Sequence, residues 1–337
     1  HNKVFIADGT VGMVGGRNIE NRYFWVDQSF NQRDLDAVVI GEVITELQVS
    51  FDNYWNSMWA VPIERLESPV KPRQARRYFR GLHQYSNEQL ATPAFVNIAP
   101  TPLERYRISR DMLAAEIEFI ADDPDKVVDR QPQQFDRLNA LTDDAQQRVL
   151  LGMAYLVPSD AVVSQVEALT SRGVEVKVLT NSMDSINFPA AFSGYAPFRR
   201  SFLEMGATLY EFASDAQYPQ CPQFCSDKAM GYHSKLMVFD QGTSYVGSMN
   251  YDPRSIDLNT ESGLIIYSEE VTARVAALFY EDAGTRNSWR VTSSSPLRWS
   301  RPNEDGTLEI SKSEPKASSL SKLHVAFWRL MPLGDQY

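Results

Sequence analysis

Cysteine, basic charge and long apolar runs are all scarce in this sequence. The only two cysteines, Cys221 and Cys225, are too few for a disulfide framework, so a reducing compartment is the default. Their C-x3-C spacing in a Pro-rich loop suits zinc, but two further ligands are not evident and free thiols are the favoured reading. Thirty-three Lys and Arg stand against 43 Asp and Glu, a net charge of −10. That balance argues against a broad basic surface for nucleic acid, so no nucleic-acid partner is expected, although local basic pockets remain open. No apolar run approaches the roughly 18 residues of a membrane-spanning helix, and no signal-peptide pattern stands at the start. The first residue is His1 rather than Met, so a leader upstream stays open.

What the chain does contain is a repeat. HNKVFIADGTVGMVGGRN, residues 1–18, returns as HSKLMVFDQGTSYVGSMN, residues 233–250. His1, Lys3, Asp8, Gly15 and Asn18 align in one register with His233, Lys235, Asp240, Gly247 and Asn250; Gly16 aligns with Ser248. Such agreement marks a duplicated unit. The length and the 43% hydrophobic content suit two domains with a substantial core.

The flanks are parallel as well. RDLDAVVIG after the first copy and NTESGLIIYS after the second read as acidic strands. Each is followed by a helical pattern, with Val43, Leu47, Phe51, Tyr54 and Trp55 on one face in the first and Val271, Val275, Leu278 and Phe279 in the second. Ahead of the second copy, RVLLGMAYLV reads as a strand and SDAVVSQVEALTSRG as a helix with Ser159 as N-cap and Gly173 as stop. VEVKVLT is a further strand, and a helix over 198–205 and the strand ATLYEF complete the run. Alternating strand and helix predicts an α/β fold, a mixed, mostly parallel sheet with helices on both faces in each of two similar lobes. The first copy lacks such an upstream run. By symmetry about 80 residues are expected before His1, so the first lobe is expected to be incomplete and the chain to be an N-terminally truncated piece.

This divides the chain into residues 1–61, the later part of a first lobe; 62–147, a partly helical connector; 148–284, a second lobe; and 285–337, an extension. In the connector, the basic PVKPRQARRYFRG is expected to pack on the lobes and DMLAAEIEFIADDP to form a helix. In the extension, Leu320, Leu323, Phe327, Leu330 and Met331 share one face of a helix with Lys322, His324 and Arg329 elsewhere. That helix suits either a membrane surface or the protein's own core, with the first slightly favoured. His83 and His324 lack comparable partners and read as surface or packing residues.

Residues of an H-x-K pattern on a strand project to the same side, so two packed copies bring two His and two Lys around one pocket. That set suits a phosphodiester. The two Lys and the two Asn, Asn18 and Asn250, hold phosphoryl oxygens and stabilise the charge of the transition state. One imidazole attacks phosphorus; the other protonates the departing alkoxide and then deprotonates the incoming alcohol or water. The roles require opposite protonation states, hence two His. No metal or other cofactor is called for, and nothing resembles a Mg²⁺ carboxylate cluster. Asp34 and Glu261, 33 and 28 residues after His1 and His233, are the candidates to orient the imidazoles. Whether each serves its own His or the other copy's is open.

The doubled pattern H-x-K-x4-D-x6-G-[GS]-x-N resembles the HKD motif of the phospholipase D superfamily, and the resemblance spans essentially the whole chain. It implies that fold, makes Asp8 and Asp240 structural, and makes His1 the nucleophile and His233 the acid and base. VGGRNIENRYF, DLDAVVIG, LTNS, GYAPFRRSFLEMGATLYEF and VGSMNYDPRSIDLNTESGLII are most similar to the bacterial cardiolipin synthase branch, particularly its C type. That similarity implies transfer of a phosphatidyl group, through a phosphohistidine, to the hydroxyl of phosphatidylglycerol. It also implies peripheral contact with the cytoplasmic face of the bacterial inner membrane. A phospholipase D hydrolase using water shares every residue named; a nuclease of the same superfamily comes third, and a non-catalytic member is disfavoured because both motifs are complete. With its first lobe open at one edge, the 337-residue chain alone is expected to turn over no lipid; product from the isolated chain would overturn that expectation.

Overall fold

The computed structural model describes residues 1–66, 71–90, 111–219, 228–292, 296–303 and 305–330. Cys221, Cys225 and Met331 lie outside these. Fifteen strands are described: β1 (Val4–Ala7), β2 (Val11–Gly15), β3 (Phe30–Arg33), β4 (Asp36–Ile40), β5 (Glu116–Ala121), β6 (Arg148–Met153), β7 (Glu175–Asn181), β8 (Thr208–Phe212), β9 (Ala229–Tyr232), β10 (Lys235–Phe239), β11 (Thr243–Gly247), β12 (Ser262–Tyr267), β13 (Ser288–Thr292), β14 (Arg298–Pro302) and β15 (Leu308–Ser311).

The repeat is a repeat of structure. β1 and β2 pair antiparallel with Val4 opposite Val14, and β10 and β11 with Leu236 opposite Val246. The turns between them place Asp8 and Asp240 at φ 51° and 53°, the left-handed region that Asp tolerates through local hydrogen bonding. β2 then pairs with β4 and β11 with β12, with Gly15 opposite Asp36 and Gly247 opposite Gly263. Helices Val43–Trp55 and Glu269–Asp282 follow in turn. In the first, Val43, Ile44 and Leu47 are buried while Phe51 and Trp55 are exposed, so the apolar stripe read from the sequence is covered only along its first half.

The second copy lies within a ten-stranded mixed sheet, ordered β15-β14-β13-β8-β7-β6-β10-β11-β12-β5. Parallel pairing is confined to β6-β7-β8, where the helices Asp160–Ser171, Pro189–Tyr195 and Arg199–Glu204 make the crossovers that parallel neighbours require. The other pairs are antiparallel, so the mostly parallel sheet expected from alternating strands and helices holds only for that central run. Ser159 caps the first of these helices through the Val162 amide, and Gly173 follows its end at φ 81°.

One segment departs from its expected type. DMLAAEIEFIADDP reads as a helix, yet Glu116–Ala121 is an edge strand paired with β12, Ala121 opposite Ser262 and Glu116 opposite Tyr267. Ile117 and Phe119 alternate with Glu116 and Glu118 at the period of a strand, and they pack into the cluster formed by Val14, Val39, Leu47, Leu264 and Ile266. Tertiary burial outweighs the helix propensity of the preceding alanines.

The copies meet both by apolar packing and by strand pairing. That cluster unites β2 and β4 with β12, and β3 pairs in parallel with β9, Phe30 opposite Ala229 and Arg33 opposite Tyr232. The C-terminal helix Ser319–Arg329 buries Val325 and contacts the helix Pro189–Tyr195, leaving Leu320, Leu323, Phe327 and Leu330 exposed. No described helix is long and apolar enough to cross a membrane.

The Asp240 carboxylate accepts hydrogen bonds from the amides of Gln146, Gln147 and Arg148, tying the β10–β11 turn to the start of β6. Partial burial raises its pKa, but these amides outweigh burial and leave it below the ordinary value. Asp240→Ala is therefore expected to cost about 1–2 kcal/mol of stability at neutral pH. A carboxylate with a depressed folded-state pKa stabilises above its unfolded value and loses that contribution as pH falls through the folded one. Denaturant titrations should thus show the difference between wild type and variant shrinking in acid; an undiminished difference at pH 3 would rule this origin out.

Candidate active site

Register brings the site together. Asp34 lies two residues before Asp36, the partner of Gly15, and Glu261 two residues before Gly263, the partner of Gly247, so the two carboxylates are structural equivalents. The five extra residues between His1 and Asp34 belong to the excursion through the 3-10 turn Asn21–Phe24 and β3. That excursion has a consequence: it carries the first copy across to β9. Beyond the last pair, Arg33 and Tyr232, the chains continue as Asp34 and His233, and the His233 amide donates to the Arg33 carbonyl at 2.7 Å.

The imidazoles are oriented crosswise. His233 Nδ1 lies 2.6 Å from Asp34 Oδ2, and His1 Nδ1 lies 2.6 Å from Glu261 Oε2. Each copy thus supplies the carboxylate for the other copy's imidazole, with Nδ1 engaged and Nε2 left as the reactive nitrogen. Both carboxylates have fully buried side chains; the His233 side chain is 5% exposed and that of His1 29%.

The lysines stand beside their histidines. Lys3 Nζ donates to the His1 carbonyl at 2.8 Å, and Lys235 Nζ to the His233 carbonyl at 2.6 Å, with Lys235 Nζ also 3.0 Å from His233 Nδ1. Lys235 opens β10, whereas His1, Lys3 and His233 lie just ahead of their strands. Burial lowers the Lys235 pKa to about 7, with Asp34 and Glu261 opposing the shift and Lys3 adding to it. Lys3 is lowered for the same reason, burial, against Glu261 and Asp34. His233 falls to about 4 through burial first and Lys235 second, with Asp34 pulling the other way. Burial raises Glu261. Desolvation thus disfavours charge on the lysines, on His233 and on Glu261 alike, and an anion among them favours the cationic lysines.

Residues absent from the sequence reading complete the arrangement. Tyr23 packs edge-on against the His233 ring at 4.9 Å and Tyr155 at 6.3 Å. Asn18 Nδ2 donates to the Tyr23 hydroxyl at 2.9 Å, and Asn250 Oδ1 accepts the Tyr155 amide at 3.3 Å. Asn18 thus braces Tyr23, while Asn250 turns its oxygen to the backbone. Asn181 donates to the Tyr232 carbonyl at 2.7 Å and accepts the Tyr232 amide at 2.8 Å, fixing the chain immediately before His233. Asp122, paired with buried Lys126 at 2.7 Å, accepts the Glu261 amide at 3.0 Å. No local pattern marks these residues, because their partners are 5 to 139 positions away.

The aligned pair Gly16 and Ser248 also differ in use. Ser248 Oγ donates to Glu261 Oε2 at 2.6 Å. At Gly16, any Cβ would collide with Asp34 Oδ1, so glycine is what lets the Asp34 carboxylate reach His233. Beside His1, a cavity of about 280 Å³ is lined by His1, Asn2, Val4, Leu47, Phe51 and Tyr54 among others. His83 and His324 are exposed and away from this constellation.

The chain is similar to known proteins. Residues 138–283 match the family model described as "Cardiolipin synthase, PLD-like domain". Over 98% of its length the chain is 28% identical to an uncharacterized protein of Helicobacter pylori and, over 99%, 26% identical to cardiolipin synthase C of Escherichia coli. It spans 66% of the length of the former and 72% of the latter. Among solved structures, phosphatidylserine synthase of Haemophilus influenzae superposes with a TM-score of 0.57 at 14% identity, covering 98% of this chain and 68% of that one, which shows a shared fold.

The electrostatics of His233 can be tested without turnover. Lys235→Met removes a neighbouring positive charge and should move the His233 midpoint up toward the ordinary 6.5; Asp34→Asn removes the opposing carboxylate and should move it further down. Imidazole titration by NMR reads both, and unchanged midpoints in the two variants would refute the coupling.

Proposed function

We propose, for a chain whose residues 138–283 match the cardiolipin synthase, PLD-like domain family model, a phosphatidyltransferase that moves a phosphatidyl group to the hydroxyl of phosphatidylglycerol. The observation that carries the reading is the crossed pair of imidazole–carboxylate contacts, each 2.6 Å long. Two imidazoles, each with Nδ1 engaged by a buried carboxylate and an ammonium alongside, are equipped for double displacement at phosphorus.

In the first step, Nε2 of the nucleophile forms the N–P bond as the bond from phosphorus to the leaving alcohol's oxygen breaks, and the second imidazole gives that oxygen a proton. In the second step the same imidazole takes the proton from the acceptor hydroxyl, whose oxygen displaces the nucleophile. Lys3 and Lys235 hold the phosphoryl oxygens throughout, and Asp8 and Asp240 serve their turns. With His1 as nucleophile, His233 is the acid. A second assignment, with His233 attacking, is favoured by one observation: burial and Lys235 keep His233 neutral, the state a nucleophile needs. Hydrolysis uses the same groups with water in place of the alcohol, and the apolar lining of the cavity beside His1, Val4, Leu47 and Phe51, suits a lipid acceptor better. The protein is proposed to work at the cytoplasmic face of the inner membrane, as a peripheral protein.

Incubation of the intact protein with phosphatidylglycerol should yield cardiolipin; phosphatidic acid instead would move the reading to hydrolysis, and neither product would remove both. His1→Ala and His233→Ala should each abolish turnover, and Lys3→Ala or Lys235→Ala should cost on the order of 10²-fold. Mass spectrometry of acid-sensitive phosphoryl adducts decides which imidazole attacks, since only the nucleophile carries one. Because Lys235 must be charged to hold phosphate and its pKa is about 7, phosphodiester affinity should weaken as pH rises through neutrality. Affinity unchanged from pH 6 to pH 8.5 would show that Lys235 is not a phosphate ligand.

A further inference from the structure

The helix Pro72–Leu90 is unlike the rest of the molecule. Over residues 71–90, Lys71, Arg73, Arg76, Arg77 and Arg80 face a single carboxylate, Glu88, in a chain whose net charge is −10. The sequence led to the expectation that this basic stretch packs on the lobes. Instead Tyr78, Phe79, Leu82 and Tyr85 are 69%, 67%, 61% and 54% exposed, with no described residue covering them. At 100° per residue these four lie within one stripe, while Arg73, Arg77 and Arg80 lie on the opposite side and Arg76 along its flank. The helix is 19 residues, about 28 Å, long.

We propose that this helix docks the protein on an anionic lipid surface, its aromatic and leucine stripe entering the headgroup boundary and its arginines meeting lipid phosphates. Charge complementarity selects the partner. A second copy of this acidic chain would offer the arginines scattered carboxylates, whereas an anionic bilayer offers a continuous negative plane to which each cation adds attraction. The aromatic stripe with a cationic opposite face is the composition of helices that lie in an interface.

The preceding segment also exposes apolar side chains. Trp55, Met58, Ile63 and Leu66 are 68% or more exposed, and they continue from the helix Val43–Trp55, whose Phe51 and Tyr54 line the cavity beside His1. The inference deepens the lipid reading of the site and rests on that reading only for the choice of phosphatidylglycerol as the anionic lipid.

Flotation with vesicles of phosphatidylcholine, alone or mixed with phosphatidylglycerol, tests it. The chain should float with the mixed vesicles and not with the neutral ones. Arg76→Gln/Arg77→Gln/Arg80→Gln should weaken binding by on the order of 10²-fold, and Tyr78→Ser/Phe79→Ser/Leu82→Ser by a similar factor or more. Circular dichroism and thermal melting unchanged from wild type would show both variants folded. Equal flotation of wild type and both variants overturns the proposal. So does loss of a dimer in sedimentation by the serine variant with vesicle binding intact, which would assign the stripe to a second copy. In the intact protein, turnover of phosphatidylglycerol dispersed in detergent micelles should be the same in the variants as in wild type. Absence of turnover with flotation retained would instead count against the proposed function and leave the docking helix standing.

Discussion

Each imidazole of the site is held by a carboxylate from the other copy, and the architecture follows from making that exchange possible. A carboxylate on the same copy would orient its histidine in an isolated lobe; crossing the pair means that neither half can form a site alone. Asp34 reaches His233 because β3 pairs with β9 immediately upstream of both, and Glu261 reaches His1 because β12 packs over β2 and β4 through Val14, Val39, Leu264 and Ile266. The apolar joint and the catalytic joint are therefore the same joint. A change that loosened the core between copies would move both carboxylates before it touched either histidine.

Much of this was legible in the residues, for reasons of spacing. The repeat located the motifs, and the period-2 runs located their strands. The acidic strand that follows each motif singled out Asp34 and Glu261 even though their partners were undecided. What escaped was set by tertiary contact. The pairing of Asp34 with His233 depends on β3, a four-residue strand in a polar stretch, FNQR, that carries no periodic signal. β5 was mistaken for a helix because Ala114 and Ala115 lead into it, while the alternation that decides the matter spans only a few residues. Tyr23, Tyr155, Asn181 and Asp122 are ordinary residues locally and become parts of the site only where the chain returns to them.

Burial is what gives the site its electrical character. Lys235 is fully buried and its nearest carboxylates, Asp34 and Glu261, are already committed to imidazoles. Desolvation therefore dominates, and the lysine sits near neutrality while His233 is driven far below its ordinary range. On the proposed function, a phosphodiester entering such a site brings negative charge to it. Its binding raises the proton affinity of both groups together, so recognition of the substrate and charging of the residues that act on it are one event.

The remaining asymmetry between the copies explains why duplicated halves can perform different steps. Aspartate is one methylene shorter than glutamate, and Asp34 comes close enough to His233 only because position 16 has no side chain. Glu261 is longer and is steadied instead by Ser248, which shares the very oxygen that contacts His1, and by the Asp122–Lys126 pair behind its backbone. One imidazole is thereby sealed between two tyrosine rings against a short, tightly packed carboxylate. The other stands half open beside an apolar cavity, on a carboxylate whose charge is shared with a hydroxyl. A duplication supplies two equal histidines; the differences at 16/248 and 34/261 make them unequal, as the double displacement proposed for them requires.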